Sequence, residues 1–158
     1  MVKPLGVLVI GAGRMGAVHL QALESARSAR AVAVVDPVAA TLDRARAVGL
    51  GGYESLDEAL QAGGFDAALV AAPSDLHLEL VRELMRARIP TLCEKPCGLA
   101  STQTREAADL ATEAGVVLQI GYWRRFVPAL RELRKRLIAG ELGEVSLIQA
   151  WQWDGEPP

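Results

Sequence analysis

Aromatic side chains are scarce here: Phe, Tyr and Trp make up 4% of 158 residues. That excludes a core or a binding surface built mainly on rings. The apolar residues, 51% of the chain, are dominated by Ala, Val and Leu. Such small and branched aliphatics suit helices packed on a parallel sheet. An excess of one charge is also lacking, since formal net charge is −2 with both signs mixed along the chain. No basic face stands out, so nucleic acid is not expected as a partner. No apolar run approaches the ~20 residues that span a bilayer, and no membrane association is expected. The opening Met-Val-Lys-Pro runs straight into an apolar stretch without the layout of a secretory signal, which favours the cytoplasm. Cysteine is limited to Cys93 and Cys97. In a reducing compartment a disulfide is not expected, and two sulfurs alone make no zinc site. Buried, inert thiols and no metal are the expectation.

What the chain does have is a patterned start. The apolar run Leu5 to Ile10 leads into Gly11-Ala12-Gly13-Arg14-Met15-Gly16 and then into a helical pattern. A Gly-x-Gly-x-x-Gly triplet between a strand and a helix is the context required of a dinucleotide-binding turn. Gly11 permits the tight turn, Gly13 lets a pyrophosphate approach the backbone, and Gly16 lets the helix pack closely on the sheet. The helix start, Arg14-Met15, offers free N–H groups and the positive end of a dipole to phosphates. A second strand ends in Asp36, twenty residues past Gly16, where a carboxylate would hold ribose hydroxyls. NAD is the expected cofactor, because Asp36 would repel the 2′-phosphate of NADP and Pro37-Val38 supply no positive charge. The triplet alone has another reading, a Gly-rich turn in some unrelated α/β protein.

Strand and helix patterns alternate along the chain. Helices are expected over 14–27, with Met15, Val18 and Leu23 buried, and over 38–48, with a short one capped by Ser55 and Glu58. Another is expected from Ser74 or Asp75 to Arg86, with Leu76, Leu80, Val81 and Leu84 at helical spacing, and others over 101–114 and 127–139. Strands are expected at 31–35, near Tyr53, and at 65–72, 90–94, 116–120 and 144–153. The pattern predicts an α/β fold, doubly wound on a mostly parallel sheet with helices on both faces. Ligands of such sheets bind beyond the carboxyl ends of the strands. Gly11–Gly16, Asp36, Pro73–His77, Glu94–Cys97 and Gly121–Arg125 would all fall there.

Several of these residues are candidates for chemistry. Lys95, held by Pro96 at a strand's end, would bind a substrate hydroxyl or relay its proton. Lysines ordinarily titrate near ~10.4, so base chemistry at neutral pH calls for a partner. On residue type alone, a surface lysine is the default reading. His77 would face the nicotinamide ribose or stand exposed on its helix. For His19 a packing or surface role is favoured over a catalytic one. Arg14 would cover the adenine or touch a phosphate, and Arg124 and Arg125 would bind substrate or ribose oxygens or solvate the next helix.

The sequence resembles the N-terminal part of the Gfo/Idh/MocA oxidoreductases over nearly its whole length. The resemblance is carried by GAGRMG at 11–16, Asp36, AAPSDLH at 71–77, EKP at 94–96 and GYWRRFVPALRELRKRLIAGELGEV at 121–145. It implies a Rossmann domain over 1–121, a connecting segment and helix over 122–143, and at 144–158 the first strand of an α+β substrate domain. It also implies oxidation of a secondary alcohol on a polyol, sugar or cyclitol, with Lys95 catalytic. Ala72, Pro73, Ser74, His77, Glu94, Lys95, Pro96 and Arg125 would line the cofactor. The closing AWQWDGEPP is similar to inositol dehydrogenase-like members. The family's catalytic histidine lies beyond the last residue here, so a truncated chain that does not turn over by itself is expected. The unpaired tail strand and its indoles lead us to expect a homo-oligomer. A non-catalytic dinucleotide-sensing module is the competing reading.

Overall fold

Leu5–Ile10 forms β1, the strand on which the sheet is built. The computed structural model describes residues 3–151. The elements follow in order as α1 (Arg14–Ser25), β2 (Ala29–Val35), α2 (Ala39–Ala47), β3 (Gly51–Tyr53), α3 (Leu56–Ala62) and β4 (Ala67–Val70). A 3-10 turn (Ser74–Leu76) then leads into α4 (His77–Arg86), β5 (Thr91–Cys93), α5 (Ser101–Ala114) and β6 (Leu118–Ile120). The sheet runs β3-β2-β1-β4-β5-β6, every pair parallel. The strand order reverses between β1 and β4, which is the switch point of a doubly wound sheet. The expected fold class is therefore the observed one.

Alternate residues of β1 supply both faces of the core. Leu8 and Ile10 point to the side covered by α3, α4 and α5, with Leu56, Val81, Leu84 and Ala107 among their buried neighbours. Val7 and Val9 point to the other side, against Leu20 and Leu23 of α1. Val34 packs there with Leu42 and Ala45 of α2. Burying each such side chain contributes about 2 kcal/mol, so a two-sided core of aliphatics holds the sheet without rings.

Two expectations on buried faces need correction. Met15 and Val18 are exposed, at 41% and 53%. The buried residue of α1 is Gly16. A Cβ there would run into the Gly11 carbonyl, so α1 rests on the turn through Gly16. Positions 16, 20 and 23 then face the sheet at i, i+4 and i+7, and positions 15 and 18 turn away. Leu76 is likewise exposed, because it ends the 3-10 turn rather than lying on α4. The buried face of α4 is His77, Leu78, Val81, Leu84 and Met85. Ser55 does cap α3, accepting from the Glu58 N–H at 3.3 Å.

The chain divides after Gly121 into two compact units. The second contains a 3-10 turn (Trp123–Phe126) and α6 (Pro128–Ile138), which starts on a proline at its first turn and is followed by Gly140 at φ +74. The strand expected over 144–153 is absent from its described part. Residues 145–151 carry no regular structure, and 152–153 lie outside the described residues. Alternation in sequence does not make a strand where no ladder partner pairs with it.

Candidate cofactor site

The ladders carry the strand ends to one rim. Gly11 N–H donates to Val35 O at 2.8 Å, Ala71 N–H to Ile10 O at 2.8 Å, Glu94 N–H to Val70 O at 2.9 Å and Gly121 N–H to Cys93 O at 2.8 Å. The glycine turn, the loop at 71–74, the 94–96 loop and Gly121 therefore sit side by side above the sheet.

The three glycines of the turn meet different surroundings. Gly11 has φ +84, and a Cβ there would come within 2.7 Å of the Ala72 backbone. Gly16 has no room because the Gly11 carbonyl occupies the position. Gly13 has an ordinary φ of −65, and an added Cβ would find no heavy atom within 4 Å. Among the described residues, nothing in the packing requires glycine at 13. It leaves bare backbone at the N-cap of α1, where no side chain caps the helix and no acidic residue occupies the first turn. A pyrophosphate fits that cradle on both shape and dipole. Arg14 and Met15 are exposed beside it.

Asp36 is buried, at 7% exposure. Its Oδ2 accepts from Ala12 N–H at 2.9 Å and its Oδ1 from Val38 N–H at 3.0 Å. The carboxylate thus fastens the glycine turn to the end of β2. Two of its roughly four lone-pair sites remain for hydroxyl donors such as those of a ribose.

Lys95 follows the end of β5 with its side chain exposed, and its peptide bond to Pro96 is cis. Glu94 is engaged on both oxygens. Oε1 lies 2.8 Å from Nε2 of His19, and Oε2 accepts from Lys95 N–H at 3.1 Å. His77 does not reach the rim surface. It is 1% exposed, with Nδ1 2.7 Å from the Pro96 carbonyl oxygen and Nε2 2.8 Å from that of Ala72. The expectation of a cofactor contact or an exposed place on the helix is corrected: the ring is covered, each of its nitrogens faces a backbone carbonyl oxygen, and the imidazole lies between the loops after β4 and β5. Ala72, Pro73 and Ser74 remain at the rim, the latter two opening the 3-10 turn. Arg125 belongs to the second unit, where its guanidinium lies 5.6 Å from the Tyr122 ring centroid.

Cys93 and Cys97 are free and buried on either side of the 94–96 loop. A hydrogen bond with Cys97, and then burial, push the Cys93 thiol up, and the same bond draws the Cys97 thiol down against its own burial. Among the described residues no group of three His, Cys, Asp or Glu could hold a metal ion, and no helix is long and apolar enough to cross a membrane.

The pattern of the oxidoreductase family with an NAD-binding Rossmann fold, Gfo/Idh/MocA, matches residues 5–122. The chain belongs to this family. The rhizopine catabolism protein MocA of Rhizobium meliloti is 43% identical over 95% of the chain and 47% of its own length. A myo-inositol dehydrogenase of Streptomyces leeuwenhoekii is 38% identical over 96% of the chain and 47% of its own length. The crystal structure of scyllo-inositol dehydrogenase from Lactobacillus casei, with bound NAD(H) and scyllo-inositol, superposes with a TM-score of 0.83. It is 25% identical over 90% of this chain and 43% of that one. The chain spans about half the length of the curated relatives it matches.

For this Gfo/Idh/MocA domain, the contact that reading the sequence missed is that of His19 with Glu94. A polar residue three positions after the last glycine of the turn lies on the same side of α1 as Gly16. That spacing was the available signal. Its partner, Glu94, is 75 positions away and could be found only from the fold.

Proposed function

We propose that this chain is the cofactor-binding part of an NAD-dependent dehydrogenase that oxidises a secondary alcohol of a cyclitol such as inositol, or of a related sugar or polyol. The observation that carries the reading is one rim bearing three features: bare backbone at Gly13, a carboxylate at Asp36 and a free lysine at Lys95. Support for the substrate class comes from the named activities of the inositol dehydrogenases it resembles. NAD bound along this rim would take the hydride from the carbinol carbon. The hydroxyl proton then has to leave by another path as the C–O bond becomes a carbonyl. Lys95 is an exposed cation just past the end of β5, suited to hold the substrate oxygen and pass its proton on. Gly13 and the first turn of α1 bind the pyrophosphate, and Asp36 binds the adenosine ribose. The loop at 72–74 completes the cofactor's surroundings within the first unit. The test is NADH formation by the full-length protein, with inositols set against unrelated secondary alcohols.

Cofactor preference is a direct consequence. The unaltered chain is expected to bind NAD more tightly than NADP. Asp36→Ala should weaken NAD by about 10- to 100-fold, the value of a charge-assisted hydrogen bond to ribose together with the lost lock on Ala12. It should narrow the difference between the two cofactors, because the repulsion of a 2′-phosphate goes with the carboxylate. Fluorescence or calorimetric titration of both forms measures this. Tighter NADP binding by the unaltered chain contradicts it.

A further inference from the structure

The pair His19–Glu94 stands in the middle of the rim without an assigned task. His19 lies on α1, the helix whose N-cap is Gly13. Glu94 follows β5, and β4 lies between β1 and β5 in the sheet. The pair therefore reaches over the end of β4. The two side chains are 23% and 12% exposed, and their bond is 2.8 Å long. A carboxylate only accepts, so the proton in the bond sits on Nε2. The other carboxylate oxygen takes the backbone N–H of Lys95 at 3.1 Å. On the far side the carboxylate abuts Gly121, where a Cβ would approach Cδ and both oxygens to 3.2 Å. Glu94 is thus held on three sides, its backbone by Val70 and its side chain by α1 and the end of β6. Each Glu94 oxygen thus carries one donor.

We propose that His19 and Glu94 are positioning residues that fasten the phosphate-binding helix to the backbone of Lys95. Seating a pyrophosphate at Gly13 and setting the direction of the Lys95 side chain are then linked through one carboxylate. This rests on the dehydrogenase reading for the value of placing Lys95, but the linkage itself is a property of the domain. A near-buried charge-assisted bond between elements far apart in sequence resists separation, because breaking it strands Glu94 with one donor fewer. A displacement of about 1 Å in a reacting group costs on the order of 100-fold in rate, so a linkage of this kind governs turnover without touching substrate.

The test is amide hydrogen exchange at Lys95, followed by NMR with and without NAD, in the unaltered chain and in His19→Ala, Glu94→Ala and Glu94→Gln. Glu94→Ala is expected to speed Lys95 exchange about tenfold without cofactor, the value of one charge-assisted hydrogen bond. Glu94→Gln should restore it to within a few-fold, since an amide oxygen still accepts from Lys95 N–H, while its NH2 donates to Nε2 once the imidazole proton moves to Nδ1. NAD should slow the exchange in the unaltered chain. In His19→Ala it should bind within a few-fold of normal yet leave Lys95 exchange unchanged, an uncoupling that a merely structural role would not give. Equal exchange in Glu94→Ala and the unaltered chain, or a full NAD response in His19→Ala, overturns the proposal. If NAD fails to bind the unaltered chain, the dehydrogenase reading falls, and the exchange in Glu94→Ala without cofactor still decides the pair. In the full-length protein, Glu94→Ala should lower kcat on the order of 100-fold with KM for NAD within a few-fold. Full activity there, beside an inactive Lys95→Met, overturns the pair and leaves the dehydrogenase reading intact.

Discussion

Replacing Lys95 by methionine in the full-length protein is expected to lower turnover by about 10²- to 10⁴-fold, the range for losing a positioned proton-transfer group. NAD affinity should stay within a few-fold. Methionine keeps the length of the stem and removes only the ammonium. The backbone at Lys95 is anchored through Glu94, whose N–H is on Val70 and whose carboxylate holds Lys95 N–H. The side chain itself is exposed. Its removal therefore takes away no packing, and a rate loss would report chemistry. Steady-state kinetics with the preferred inositol, paired with cofactor titration, make the measurement. Turnover within a few-fold of normal would return Lys95 to the class of ordinary surface lysines.

Gly16→Ala is expected to lower stability by about 3 kcal/mol, the upper part of the range for an overpacked site, and to abolish measurable NAD binding. The new methyl group would land on the Gly11 carbonyl oxygen, with Gly11 carbon at 2.9 Å behind it. That obstacle is backbone, in a turn already pressed against Ala72, and cannot swing aside as a side chain would. Helix α1 would have to lift from β1, uncovering Leu20 and Leu23 and moving the phosphate-binding turn with it. Urea unfolding and NAD titration on the same variant check both halves. An unchanged midpoint would mean that α1 does not rest on the glycine turn as described.

Local chemistry made much of this legible in the sequence. The turn at 11–16 is written in glycines, and the alternation of apolar runs with helical patterns specified a parallel sheet. Asp36 sits at the spacing that a carboxylate at the end of β2 requires. What could not be read depends on partners far along the chain. His77 and Pro96 are 19 positions apart, and His19 and Glu94 are 75 apart, so neither ring's partner is visible in a local window. Histidine chemistry suggested a cofactor contact or an exposed place on its helix for His77 and a packing or surface role for His19, whereas the fold buries the first and pairs the second with Glu94. Met15 and Val18 failed for a related reason. Their helical spacing is sound, but α1 rests on the glycine turn through Gly16, and positions 15 and 18 turn away from the sheet.

The most direct test of the account is the comparison of this chain with Gly13→Ala by calorimetric NAD titration and thermal unfolding. Residue 13 has an ordinary φ and open space where a Cβ would go, so alanine there should leave the unfolding transition in place. The same methyl group would stand where the pyrophosphate meets the backbone. The account predicts one-site NAD binding by the unaltered chain, an affinity loss of at least about tenfold in the variant from even one displaced phosphate hydrogen bond, and matching unfolding curves. Equal NAD affinity in the two proteins, or no NAD binding by either, would contradict it.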